Sequence, residues 1–457
     1  MLRKNLFRLD DPLSDWTPRC AELTIEKKSI DRFRRLGLPA HEPTDLRRSG
    51  VPEEVLPVID LDALVEPVAQ DITTFLQGMI QIPSENPPGD VQRVAQYVVD
   101  TLTNWGMAAD KMQASDAPRG RENVIARLGP AGPAALVFNA HLDTVPAGDP
   151  ARWTLPPFSG TIRDGRVFGR GAVDSKGRLA AYFGAAYALH RAGVRLSRGV
   201  LVTATCDEEI GGEWGAGYVT QAGLVTADAA IVEGYSDLVS IAMAGMLEFA
   251  VTVTGQAAHA SRPEQGANAI AAALPVLQWL DSWQDELAAV TSAIPGMGAT
   301  TVNVGTIHGG TKSNVVPDQC VIEVDCRVIP EKSVDQLAAQ VIAAIQAFED
   351  SGCTYAVAIT TQDPGWQTDP AHPLLQALDR GRAALRRPPL PREGTRGRAD
   401  SVWFARQGIP VVDFGPGSWQ TGNVHAPDEN MAITDLLETV KVIVATILHV
   451  VDHPEAP

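Results

Sequence analysis

The chain has 457 residues, 45% of them apolar and 20% charged, with a formal charge of −17. That length favours more than one domain, and the acidic balance excludes nucleic acid and anionic membrane as natural partners. No apolar run reaches the roughly 18 residues of a membrane helix, and five cysteines without a CxxC pair argue against a disulfide framework or a thiolate metal site.

Residues 1–60 carry dense charge of both signs and no sustained period, so an N-terminal arm is expected there. Its opening, MLRKNLFRLDD, does not read as a secretory signal, and a reducing cytoplasm is the expected location. From Leu61 a helical pattern runs through VAQDITTFLQGMIQI until SENPPGD ends it. AALVFNA (134–140), GVLVTATC (199–206), AAIVEG (229–234) and IPVVDFG (409–415) read as buried strands. GRLAAYFGAAYALHRAG (177–193) and TDLLETVKVIVATILHVV (434–451) read as helices. The alternation predicts an α/β fold, a mixed sheet flanked by helices, over residues 61–243 and 361–457. Residues 244–360 differ. AGMLEFAVTVTG, a helix from Asn268, TTVNVGTI, QCVIEVDCRVI, a second helix over SVDQLAAQVIAAIQAFEDSG, and YAVAITTQ give the order β-α-β-β-α-β. This predicts an inserted, ferredoxin-like α+β unit.

Acids and histidines follow several of the buried strands, where open α/β sheets gather ligands. His141 and Asp143 stand in NAHLDTVP, Asp174 in GRGAVDSKG, Glu208 and Glu209 in TCDEEIGG, Glu233 in IVEG and His425 in NVHAPDE. Singly, each has an ordinary explanation as a turn, a cap or solvated charge. Acids directly after a core strand are costly without a cation near them. Two imidazoles and several carboxylates, without a thiolate cluster, suit a pair of divalent ions: zinc first, cobalt or manganese as alternatives.

The segments HLDTVP, GRGAVDSKG, DEEIGG, GQAAHASRPEQGANAI and HAPDE, in this order, resemble the M20 metallopeptidase family over roughly residues 65–457. Acetylornithine deacetylase, succinyl-diaminopimelate desuccinylase, aminoacylase and glutamate carboxypeptidases belong to it. The resemblance implies that His141 and Glu233 bind one metal and Glu209 and His425 the other, with Asp174 bridging. It makes Glu208 the general base and Asp143 the residue that fixes the His141 ring. It gives His259 a role at the developing oxyanion across a homodimer interface formed by the insert. Asn314 and Arg327 become substrate residues, with Arg327 clamping a carboxylate. Gly417 and Ser418 would present backbone N–H groups to the substrate.

The implied reaction is hydrolysis of an amide-type C–N bond in a small carboxylate-bearing substrate such as an N-acyl amino acid. Peptide, N-carbamoyl and aryl-amine bonds are the alternatives on the same metals, and a non-catalytic binding relative is the alternative of another class. The presence of Glu208 with all five ligands weighs against the last. Neither HExxH nor GxSxG occurs, so a zincin or serine-hydrolase site has no support.

Overall fold

The computed structural model describes residues 60–348 and 352–452. The arm expected over residues 1–60 lies outside them apart from Asp60, whose carboxylate accepts from Ala63 N and caps the first helix. The helix expected from Leu61 is two: α1 (Leu61–Val65) and α2 (Ala69–Ile80). Pro67 sits in the 3-10 turn between them and has no N–H for a continuous ladder. After α3 (Gln92–Asn104) come β1 (Ala109–Met112), β2 (Asn123–Leu128) and β3 (Ala134–His141). The short strands β4 (Thr161–Arg163) and β5 (Arg166–Phe168) precede helix α4 (Lys176–Arg191) and β6 (Gly199–Thr205). Helix α5 (Tyr218–Gln221), β7 (Ala227–Val232) and β8 (Val239–Met243) complete the first half.

The insert follows as β9 (Gly245–Thr254), α6 (Ala269–Ala288), β10 (Thr301–Gly309), β11 (Gln319–Val328), α7 (Val334–Gln346) and β12 (Thr354–Asp363). The chain then returns through β13 (Trp366–Gln367), α8 (Pro373–Ala384), β14 (Arg392–Thr395), α9 (Ser401–Arg406), β15 (Val411–Asp413), β16 (Asn430–Ala432) and α10 (Ile433–Asp452).

The large sheet is mixed, in the order β1-β2-β6-β3-β7-β15-β8-β13, with β14 beside β8. Its central strands β6, β3 and β7 run parallel, while β2 pairs antiparallel with β6. Every residue of β3 and of β6 is buried, because both faces of the sheet are covered. Phe138, Val202 and Ile231 pack into the core beneath α2, α4 and α10. Their neighbours Val137, Leu201 and Val232 point the other way, towards Val219 of α5 and Phe404 of α9. Helix α4 is apolar on nearly every side and correspondingly buried.

The insert has its own core. Its four strands pair antiparallel in the order β10-β11-β9-β12, and one face packs on α6 and α7. Strand β9 alternates buried and half-buried residues, the pattern of a sheet covered on one side. Asn268 caps α6 and Ser333 caps α7. Strand β12 runs on to Asp363, slightly past the expected edge of the insert.

Candidate metal centre

Three adjacent parallel strands bring most of the site together. His141 is the last residue of β3, Glu233 follows β7 directly, and Glu208 and Glu209 form a 3-10 turn just after β6. Asp207, at φ 71°, turns the chain between β6 and that pair. Asp174 lies in the loop before α4, and His425 in a late loop with φ 60°.

The two imidazoles face opposite oxygens of one carboxylate. His141 Nε2 is 3.1 Å from Asp174 Oδ1, and His425 Nε2 is 3.3 Å from Asp174 Oδ2. Glu208 Oε2 and Glu233 Oε2 each stand 3.7 Å from His141 Nε2. Glu209 Oε1 is 3.6 Å from His425 Nε2. One donor atom from each of His141, Glu208 and Glu209 also falls within a span of 4.8 Å. Distance alone therefore does not separate Glu208 from the ligand-like acids. The split of Asp174 between the two histidines is the more specific feature.

The expected partnership of Asp143 with the His141 ring takes a different form. His141 Nδ1 lies 2.8 Å from the backbone carbonyl of Asp143 and 3.5 Å from its carboxylate. A carbonyl only accepts, so Nδ1 carries a hydrogen and Nε2 is the ring nitrogen that faces the acids. The Asp143 carboxylate instead accepts from Asn86 Nδ2 at 2.9 Å and from the N–H groups of Glu208 and Glu209 at 3.3 Å, holding their turn.

Burial and unbalanced charge set the electrostatics. Burial pushes the Glu208 carboxyl well above its ordinary value, and Glu233, Asp400 and Glu209 add to the push. Burial likewise raises Glu233, and raises Asp400 well above the usual range with help from Glu233. Asp174 goes the other way. Burial acts to raise it, but Arg178 and the two imidazoles hold it well below the usual carboxylate range. Burial works against a charged His141, yet Glu233 and the neighbouring acids carry it well above its usual value. His425 is pushed up to about 10 by its bonds to Asp174 and Glu209. Imidazole nitrogens and carboxylates converging on one buried space call for positive charge, and this donor set fits divalent ions.

Three supporting groups escaped the sequence reading. Arg178 Nη1 is 2.5 Å from Asp174 Oδ1, an i,i+4 contact in which both side chains are largely buried. The Glu429 carboxylate accepts from Arg170 Nη1 at 2.7 Å and from the N–H groups of Gly171, Val173 and Asp174 at 2.9–3.0 Å. It thereby ties the loop of His425 to the loop of Asp174. Asp400 Oδ2 accepts from Thr205 Oγ1 and Asn139 Nδ2 beneath the cluster, and Asp400 N donates to Glu233.

The other sequence candidates make no hydrogen bond or ion pair with the cluster among the described residues. His259 and Asn314 are exposed neighbours in the insert, joined where Ala260 N donates to Asn314 O at 3.0 Å. Arg327 already uses its fork: Nε and Nη2 each bond an oxygen of Asp325 at 2.9 Å. Among the described residues, none of the three forms a hydrogen bond or ion pair with the cluster. Gly417 does not offer its N–H to a substrate, because Asp435 Oδ2 accepts it at 2.7 Å. That backbone, at φ 98°, is committed to holding its loop on α10. Ser418 Oγ bonds Asp237 Oδ2 at 3.0 Å.

The sequence profile described as peptidase family M20/M25/M40 matches residues 137–449. N-formyl-4-amino-5-aminomethyl-2-methylpyrimidine deformylase of Halalkalibacterium halodurans is 25% identical over 85% of this chain and 96% of its own length. Succinyl-diaminopimelate desuccinylase of Caulobacter sp. is 30% identical over 84% of this chain and 96% of its own. The Bacillus subtilis YXEP protein, described as a dinuclear metal-binding peptidase of family M20, superposes with a TM-score of 0.63 at 18% identity, over 85% of this chain and 99% of its own. With these likenesses and this site, the chain belongs to peptidase family M20, a family of hydrolases that act on amide bonds.

Proposed function

We propose that the chain hydrolyses the amide bond of a small carboxylate-bearing substrate, an N-acyl amino acid being the first choice, with two divalent metal ions. The carrying observation is Asp174, whose two oxygens face two different imidazoles inside a buried set of acids. In this reading His141 and Glu233 hold one ion, Glu209 and His425 the other, and Asp174 both. Zinc suits the mixed imidazole and carboxylate donors best, with cobalt and manganese as substitutes. Bound there, the ions would polarise the scissile carbonyl and make water more acidic.

The residues of the chain do the rest. Glu208, whose Oε2 stands 3.7 Å from His141 Nε2 at the cluster, takes a proton from the attacking water and passes it to the leaving nitrogen. Asp143 fixes both the ring of His141, through its carbonyl, and the turn that carries Glu208. Arg327 meets a substrate carboxylate only in competition with Asp325. Ser418 is a further candidate contact, and the deacylases among the relatives support a small acyl group on the scissile nitrogen, which departs as the amine.

His259 and Asn314 enter through a homodimer. Strand β10 is an edge of the insert sheet, and Val304, Ile307, and Ile270 and Leu274 of α6 are exposed. A second copy pairing there would cover them and deliver His259 to the neighbouring site. Buried thiols at Cys206, Cys320 and Cys326 suit a reducing cytoplasm. No helix among the described residues is long and apolar enough to cross a membrane.

Metal removal tests the reading. Dialysis against a chelator should abolish hydrolysis of N-acyl amino acids, and zinc, cobalt or manganese should restore it with two ions per chain by elemental analysis. Full activity in a preparation free of metal would reject it.

A further inference from the structure

Arg178 is buried, with only 2% of its surface accessible, and three contacts pin its guanidinium. Nη1 reaches Asp174 Oδ1 at 2.5 Å, Nε donates to the carbonyl of Gly234 at 2.8 Å, and the group lies over the Tyr235 ring at 4.9 Å. Two of these anchors follow Glu233 directly in sequence. A guanidinium stays charged at any pH a protein survives, so this is a permanent positive charge inside the site. It is also one-sided. The oxygen it holds, Oδ1, is the one that faces His141, whereas Oδ2 faces His425.

We infer that Arg178 is a charge-setting residue that makes the two halves of the centre unequal, weakening cation binding on the His141 side while sparing the His425 side. This rests on the two-metal reading above. A divalent ion between His141, Glu233 and Asp174 would share a carboxylate oxygen with the guanidinium. One between His425, Glu209 and Asp174 would use the other oxygen. Coulomb repulsion falls with distance, so the penalty lands mainly on the nearer position. The same charge favours the metal-free protein, because it is the cation paired with Asp174 when the acids have no ion. Arg178 thus supports the empty centre and opposes filling one half of it. A purely structural role predicts the opposite: removing the prop would loosen Asp174 and weaken both positions.

The test is metal affinity rather than turnover. Zinc binding to the metal-depleted full chain would be measured by competition with a chromophoric chelator. The two positions would be assigned with His141→Ala and His425→Ala. Arg178→Gln, which removes the charge, should tighten the His141-side constant by about tenfold or more and the other by far less. Arg178→Lys, which keeps the charge, should stay near the parent on both sides. Unchanged or weaker His141-side binding in Arg178→Gln, or equal tightening of both positions, overturns the inference. If Arg178→Gln does not fold, Arg178→Lys decides. Its shorter reach cannot span Asp174 and Gly234, so weaker binding in it marks Arg178 as a prop and parent-like binding supports the charge role. A parent chain that takes up no zinc rejects the two-metal reading and this inference together. Uptake with unmoved constants rejects only the inference.

Discussion

The large sheet and the insert contribute candidate residues of opposite character. His141, Asp174, Glu208, Glu209 and Glu233 stand at strand ends or on loops locked by buried and half-buried hydrogen bonds. His259 and Asn314 sit on exposed insert loops, and Arg327 leans on an acid of its own strand. The contrast teaches that the acids and imidazoles of the large sheet are held in place by contacts within one chain, whereas the insert's candidates have no bond to that cluster.

Three substitutions would break or sharpen that contrast. The largest expected effect is at Glu208. Glu208→Gln should lower kcat by about 10²–10⁴-fold while both ions remain bound. Elemental analysis beside the kinetics checks this, and a loss of activity that merely follows a loss of metal would make Glu208 a ligand.

Glu429 comes next. Glu429→Gln leaves buried Arg170 without its counter-charge and weakens the bonds that hold the Asp174 loop. Breaking a buried pair this way costs about 3–5 kcal/mol, which denaturant midpoints would show. A cost under about 1 kcal/mol would mean that the centre is held together by other means.

The smallest effect on stability belongs to His259. As an exposed loop residue it should cost within about 0.5 kcal/mol when changed to alanine, although activity is lost. Mixing His259→Ala with Glu208→Gln should then restore activity, because a hybrid dimer has one site with both residues intact. No recovery despite demonstrated subunit exchange would place His259 in its own subunit's site or outside catalysis.

The strands and helices of the large sheet were legible because their apolar runs are long and uninterrupted, as in β3 and β6. The candidates His141, Glu208, Glu209 and Glu233 stood out as acids and a histidine just after such runs, and Asp174 and His425 as residues of loops. What stayed hidden were partners set by tertiary contact. Asp207 meets Arg121 and Asn86 across long sequence separations that no local pattern records. Arg178 did leave a trace: a charge four residues after Asp174, at the start of an otherwise apolar helix. Glu429 stood inside HAPDE in plain view, yet residue type alone does not distinguish an anchor from solvated charge. The partner of the Gly417 N–H, Asp435, belongs to the final helix, and no local pattern joins the two.

The insert also has a single doorway. Strand β8 ends at Met243, which pairs with Trp366, the residue on which the chain returns. Gly245 and Gly365 pass so close that a Cβ on the first would lie 2.7 Å from the backbone nitrogen of the second. Entry and exit side by side make the segment a cassette. Recombination or directed evolution can lengthen, trim or exchange it without rethreading the sheet, provided that the two glycines and the 294–297 turn that packs on the large core are kept. Changes inside the cassette would then leave the strand ends that carry His141 and Glu233 where they are.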